Sequence, residues 1–159
     1  MSDKSIQIGD GILMPRLIFG TGYLRNDEAY AATKLALQNG YRHIDVASAY
    51  SNEEGVGRAI RESRIKREEI FITTKCCARM CSLTPAEVFS SFHNSLQKLG
   101  VSYVDAFLIH SPTASPFGRL KHSLCKNKKK YDNYFSIPMK RHRIATWRAL
   151  EELYQKNLV

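Results

Sequence analysis

Four side chains of complementary acid–base type follow apolar runs in this sequence. Asp45 closes the run that begins at Tyr41, Tyr50 stands five residues further on, Lys75 follows Ile70–Thr74, and His110 ends Val104–His110. A carboxylate, a phenol, an ammonium and an imidazole can share and move protons, provided the fold gathers them. Singly, each has an ordinary reading: Asp45 as a turn residue, Tyr50 as a half-buried aromatic with its hydroxyl bonded locally, Lys75 as a solvated strand-end lysine, and His110 as a strand cap. What sets them apart is that all four stand at the same end of successive apolar runs.

The elements that must position them alternate in period. Ser5–Leu13 carries Gly9-Asp10-Gly11 between short apolar stretches and reads as a hairpin. Leu17-Ile18-Phe19 reads as a buried strand ended by Gly20-Thr21-Gly22, and a helix is expected from about Asp27 to Gln38, capped by Asn26 or Asp27 and stopped at Gly40. The grammar repeats with a strand over Tyr41–Val46 and a helix opened by a capping box in Ser51-Asn52-Glu53-Glu54. A third strand covers Ile70–Thr74. Its helix starts at Thr84-Pro85-Ala86-Glu87, buries a stripe of Val88, Phe92, Leu96 and Leu99, and stops before Gly100. A fourth strand covers Val104–His110, and a fourth helix is expected from about Thr146 with Trp147, Leu150 and Tyr154 on one face.

Strands alternating with helices require a parallel sheet with both faces covered, either a doubly wound sheet or an arc of a (β/α) barrel of TIM type. In either, loops after different strands meet at one rim, which is where Asp45, Tyr50, Lys75 and His110 are expected to converge.

Composition narrows the class. The 159 residues are 43% hydrophobic and 10% aromatic, enough for one domain with a real core. Met1-Ser2-Asp3-Lys4 opens no apolar leader, and the longest aliphatic stretch, near Ala106–Ile109, is too short to cross a bilayer. These features predict a cytoplasmic protein with no membrane segment. Of the four cysteines, Cys76, Cys77 and Cys81 cluster, but C-C-x3-C lacks the C-x2-C spacing of a metal site, so reduced thiols and no metal are expected. The net charge of +9 belongs mostly to one segment, since Arg119–Arg143 holds nine basic residues against a single acid, Asp132. Lys126–Lys130 with Tyr131, Tyr134 and Phe135 has the look of a nucleic-acid strip, yet a solvated basic loop inserted at about 111–143 is the expectation, with no nucleic-acid partner.

At four separated places the sequence resembles the aldo-keto reductase family: "GYRHIDVASAYSNEEGVGRAI", "IFITTKC", "SLQKLGVSYVDAFLIHSP" and "TWRALEELYQKNLV". The resemblance implies one partial domain over 1–159, comprising an N-terminal hairpin and the first four β/α units of a TIM-type barrel. It implies an NADP-dependent oxidoreductase that reduces aldehydes or ketones, with Tyr50 as proton donor, Asp45 and Lys75 as its tuning pair, and His110 orienting the substrate. The physics supports those roles, because an ammonium favours the phenolate form of a neighbouring phenol. Two unit charges about 4 Å apart near a protein surface interact by roughly 4 kcal/mol.

The hydride would come from NADPH, bound without a Rossmann motif. Gly55 and Gly57 form only G-x-G inside a helix, better read as close packing. Gly20, Thr21, Gly22 and Asp45 match the positions near the cofactor, and His110 and Tyr23 those facing a small-molecule carbonyl substrate. Two departures stand out: Gly22 occupies a place where many members carry a bulky aromatic, and Val46 one where a small residue is common.

The family continues through four further units, so the chain reads as truncated. The open edges of half a barrel predict self-association. A catalytically silent binding or regulatory subunit that keeps the fold is the alternative reading.

Overall fold

In a computed structural model, residues 5–9, 11–76, 84–110 and 137–159 are described, the last segment with side chains from 144 onward. The chain opens with an antiparallel hairpin, β1 (Ser5–Ile8) and β2 (Ile12–Pro15), in which Ser5 faces Pro15 and Ile8 faces Ile12. Gly9 and Gly11 take φ of 45° and 83° in its turn, the left-handed region that glycine enters without strain. The expected hairpin forms, with Asp10 outside the described residues.

Four strands follow in sequence order within one parallel sheet: β3 (Phe19–Gly20), β4 (His43–Asp45), β5 (Phe71–Cys76) and β6 (Ala106–Ile109). The connecting helices are α1 (Asn26–Gln38), α2 (Glu53–Ser63) and α3 (Pro85–Leu99), and α4 (Ile137–Gln155) comes after β6. Register sets Gly20 beside Asp45, Asp45 beside Thr73, and Lys75 beside Leu108. Because side chains alternate along a strand, His43, Asp45, Thr73, Lys75 and Leu108 share one face. Ile44, Ile72, Cys76 and Phe107 point the other way, into a core with Val56, Val88, Phe92 and Leu99. The Phe92 and Phe107 rings meet edge to face at 5.0 Å.

Local expectations hold where signals are local. Thr84 caps α3, its hydroxyl accepting from the Glu87 N–H while Glu87 returns to the Thr84 N–H, and Gly100 ends the helix at φ 67°. Val88, Phe92 and Leu99 are buried and Leu96 packs at their border.

Several expectations are corrected. Leu17 and Ile18 lie outside β3, 72% and 48% exposed, because the edge strand pairs with β4 through Phe19 and Gly20 alone. Arg25 rather than Asn26 or Asp27 is the cap of α1, its N–H donating to Glu28; the Asn26 side chain instead accepts the Gly55 N–H at 2.8 Å. No capping box forms at Ser51–Glu54, since Ser51 turns left-handed and the Asn52 and Glu53 side chains leave for distant partners. The fourth helix begins at Ile137, not near Thr146, so it takes up the end of the stretch expected as a loop; residues 111–136 lie outside the described residues. Its buried face holds Thr146, Ala149, Leu150 and Leu153, while Trp147 and Tyr154 are about half exposed, Trp147 donating to Glu151 one turn on.

The G-x-G of α2 serves packing, as expected. A Cβ on Gly55 would stand 2.0 Å from the Asn26 carbonyl oxygen, and one on Gly57 2.2 Å from that of Leu99. These contacts press α2 onto α1 and onto the end of α3, and with α2 they fix the segment that bears Tyr50.

The Gly57 contacts are all with Leu99 backbone atoms, so none can be relieved by rotating a side chain. Gly57→Ala is therefore expected to lower the free energy of unfolding by about 1–3 kcal/mol despite alanine's better helix propensity, as read from urea denaturation. An unchanged or raised midpoint would mean that α2 and α3 do not approach this closely.

Candidate active site

At the C-terminal rim of the sheet, three elements deliver one side chain each to a common point and a fourth closes it. Lys75 is the penultimate residue of β5 and reaches back across β4, where its Nζ meets Asp45 Oδ1 at 2.5 Å and the Val46 carbonyl at 3.1 Å. The pair is mostly shielded, with side chains 13% and 25% exposed. A single 3₁₀ turn, Ser48–Tyr50, follows β4 and carries the phenol back over the rim. Its ring centre lies 5.2 Å from the Lys75 Nζ, and the His110 ring, directly after β6, meets it edge-on at 5.5 Å and 89°. The four residues picked out from sequence are thus brought together.

Supporting bonds hold each in place. Asp45 offers its backbone carbonyl to the N–H and hydroxyl of Thr21, both at 3.0 Å, which fixes the loop after β3 to the end of β4. Ser48 donates to the Lys75 carbonyl at 3.0 Å, coupling the 3₁₀ turn to β5. Glu53, almost fully buried, accepts from the Thr74 hydroxyl at 2.9 Å. Gly22 lies against the phenol, and a Cβ there would stand 3.6 Å from the ring carbon that bears the hydroxyl. Tyr23 is fully exposed beside it, and Gly20 ends β3 next to Asp45.

Ser48 was not singled out from sequence, and Asn52 and Glu53 were read only as part of a capping box; nothing local says that their partners lie on other elements.

His110 is held neutral. Burial pushes its pKa below the ordinary 6.5, the Lys75 ammonium pushes the same way, and Asp45 opposes them. Its Nδ1 is buried and has no hydrogen-bond partner among the described residues. His43, on the same sheet face, is also lowered, burial again being the largest cause. Its Nε2 lies 2.8 Å from the Thr73 hydroxyl and its Nδ1 3.3 Å from the Pro15 carbonyl, so Nδ1 carries the proton and Nε2 accepts.

Among the described residues no three of His, Cys, Asp or Glu are placed to hold a metal ion, and no helix is long and apolar enough to cross a membrane. Cys76 is buried; the other three cysteines lie outside the described residues.

A parallel α/β sheet with a carboxylate–ammonium–phenol–imidazole group at the strand C-termini defines an acid–base site of the barrel-enzyme kind. A profile of the Aldo/keto reductase family matches residues 16–159. The chain belongs to the aldo/keto reductase family. It is similar to a Saccharomyces cerevisiae protein named glycerol 2-dehydrogenase (NADP(+)), 35% identical over 96% of this chain and 48% of that one. It is 32% identical to methylglyoxal reductase DkgA of Escherichia coli, over 97% of this chain and 46% of the relative. Among solved structures, an aldo/keto reductase from Brucella melitensis superposes with a TM-score of 0.77 at 37% identity, covering 98% of this chain and 50% of its own. An aldo-keto reductase of Bombyx mori, solved in complex with NADP, superposes at 0.75 and 32%, covering 97% and 47%. The chain spans about half the length of these relatives. The neighbours are TIM-type barrels, and the four parallel strands here are one arc of that architecture.

Two outcomes follow from the site's electrostatics. Lys75→Met leaves Asp45 shielded and unpaired, which should cost about 2–3 kcal/mol, below the range for a fully buried pair because water still reaches the carboxylate. Adding Asp45→Asn should recover part of that loss in urea denaturation, and a double variant less stable than Lys75→Met would contradict the pairing. Separately, both histidines bind protons more weakly folded than unfolded. Stability from this source is therefore full above 6.5 and declines as pH falls through that value and below. Unfolding midpoints that stay level or rise between pH 7 and pH 5 would show that these rings are not shielded.

Proposed function

We propose that this chain carries the proton-donating half of an NADP-dependent carbonyl reductase, which converts an aldehyde or ketone to an alcohol. The observation that carries the reading is the convergence of Lys75, Asp45, Tyr50 and His110 at one rim, with the ammonium 5.2 Å from the phenol's ring centre. As the carbonyl oxygen gains negative charge, Tyr50 gives it the phenolic proton. Lys75 stabilises the phenolate left behind, and Asp45 holds Lys75 and balances its charge. His110, kept neutral, donates a hydrogen bond to the same oxygen without competing for the proton.

NADPH supplies the hydride when bound. The residues that fit its nicotinamide end are Gly20, Thr21, Gly22 and Asp45, which line the loop after β3 and the end of β4. Gly22 puts no side chain against the phenol, which suits a flat ring approaching the rim. Thr21 is fully buried and spends its hydroxyl hydrogen on the Asp45 carbonyl, so it supports this loop from beneath. His110 and Tyr23 are the substrate-side contacts. The NADP in the names of the Saccharomyces cerevisiae and Bombyx mori relatives supports the choice of cofactor.

The arc has two edges, β3 and β6, and Leu108 on β6 is 44% exposed on the same face as Lys75. We take these edges as the seams at which a barrel closes, on a second copy of this chain or on another half. A silent binding subunit that keeps the fold is the second reading.

NADPH fluorescence decides between them. Micromolar protein should quench or blue-shift the dinucleotide. Tyr50→Phe should keep that signal while lowering the turnover rate about 10²- to 10⁴-fold. A folded wild-type chain that leaves the fluorescence untouched supports the silent reading. Turnover that survives the substitution assigns the proton to another group.

A further inference from the structure

Asn52 opens α2 without capping it. Its Nδ2 donates to the Thr21 carbonyl at 2.8 Å and the Leu24 carbonyl at 2.9 Å, and the side chain is completely buried. Its Oδ1 has no partner among the described residues. The amide cannot be turned over, because Oδ1 would then face two carbonyl oxygens.

The two carbonyls bracket a turn closed by the Leu24 N–H on the Thr21 carbonyl at 3.3 Å. Inside it Tyr23 adopts φ 66°, a left-handed backbone that a bulky non-glycine residue takes only when its surroundings compel it. Tyr23 gains nothing visible in exchange, since it is fully exposed. The residue before it, Gly22, lies beside the Tyr50 phenol, where a Cβ would make ordinary contact at 3.8 Å from the hydroxyl oxygen. Tyr50 and Asn52 are separated by one residue, Ser51, itself left-handed at φ 58°. One short segment therefore touches the turn from two sides: the phenol meets Gly22, and the amide grips both ends.

We propose that Asn52 is a positioning residue that clamps the Thr21–Leu24 turn in its strained form, seating Gly22 against the Tyr50 phenol and holding Tyr23 upright at the rim as a contact for the carbonyl substrate. The clamp stands on geometry alone; the substrate contact rests on the carbonyl-reductase reading. A buried amide with one unmet oxygen and an exposed aromatic in strained backbone are each unfavourable alone. Together they place a side chain where ligand would meet the proton donor.

Amide hydrogen exchange on the full chain tests the clamp without any ligand. Asn52→Ala should speed exchange at the Leu24 amide about tenfold or more, with little change at Ile44 and Ile72 in the sheet. Tyr23→Gly relieves the strain, so alone it should slow Leu24 exchange, and in the Asn52→Ala background it should restore much of the lost protection. The single Tyr23→Gly variant keeps the test available if Asn52→Ala does not fold. Leu24 exchange that is unchanged in either single variant, or that rises equally throughout the sheet, overturns the clamp. For the substrate contact, carbonyl reduction by Asn52→Ala should show KM raised about tenfold with kcat within about threefold of wild type. A fall in kcat at constant KM overturns that part. Should wild type fail to bind NADPH, the reductase reading falls while the exchange result still judges the clamp.

Discussion

The contact between Lys75 and Asp45 is the constraint around which the rim is organised. An ammonium shielded from water needs a counter-charge, and the parallel register offers one, because Asp45 pairs with Thr73 two residues before Lys75 on the same face. The lysine can satisfy itself only by lying back across β4, where the Val46 carbonyl takes a second of its protons. Held there it has one direction left to act in, towards the 3₁₀ turn and Tyr50. The charge beside the phenol is thus fixed by a bond whose first effect is to join two strands.

A second ion pair lies at the other end of the same two strands' neighbours. Arg67, just before β5, donates to Asp105 at 2.7 Å and to the Tyr103 carbonyl at 3.0 Å, and stacks its guanidinium on the Tyr103 ring. Asp105 also accepts the Ile72 N–H at 2.8 Å, so this pair stitches β5 to the start of β6. Most of its groups bond to each other and to backbone, while the Arg67 Nε is buried without a hydrogen-bond partner among the described residues. At the C-terminal end the ion pair instead stands beside a phenol and an imidazole, one nitrogen of which is unmatched. The two ends differ in what surrounds the ion pair, backbone and the Tyr103 ring at one and a phenol and an imidazole at the other.

What could be read from sequence divides along the range of the interaction. The α3 cap at Thr84–Glu87 and the stop at Gly100 depend on neighbours within four residues, and both formed as expected. The four rim residues were legible because strand ends in a parallel sheet share a rim, whatever the side-chain details. Asn52 and Glu53 were not, since a polar pair before an apolar helix carries the same local signature whether it caps the helix or crosses to other strands. Trp147 and Tyr154 misled for a related reason: a periodic stripe marks a face, but Ala149 and Leu153 show which face the core took. Leu17 and Ile18 are apolar enough for a strand, yet an edge with one partner ordered only the two residues that it could pair.

The stretch from Asp45 to Gly57 shows why the site and the fold cannot be separated. It gives Asp45 and the Val46 carbonyl to Lys75, Ser48 to the β5 backbone, Asn52 to the loop after β3, Glu53 to Thr74, and two glycines to helix contacts too close for any side chain. Tyr50 sits in the middle of this run, and its hydroxyl makes no hydrogen bond among the described residues; its ring packs beside Lys75 and His110. Under the proposed reading, in which Tyr50 gives up a proton, such a group is best held by its neighbours' bonds rather than its own, since a hydroxyl committed to the scaffold could not be surrendered to a substrate. The density of contacts around Tyr50 is the means by which a side chain left uncommitted can still be placed.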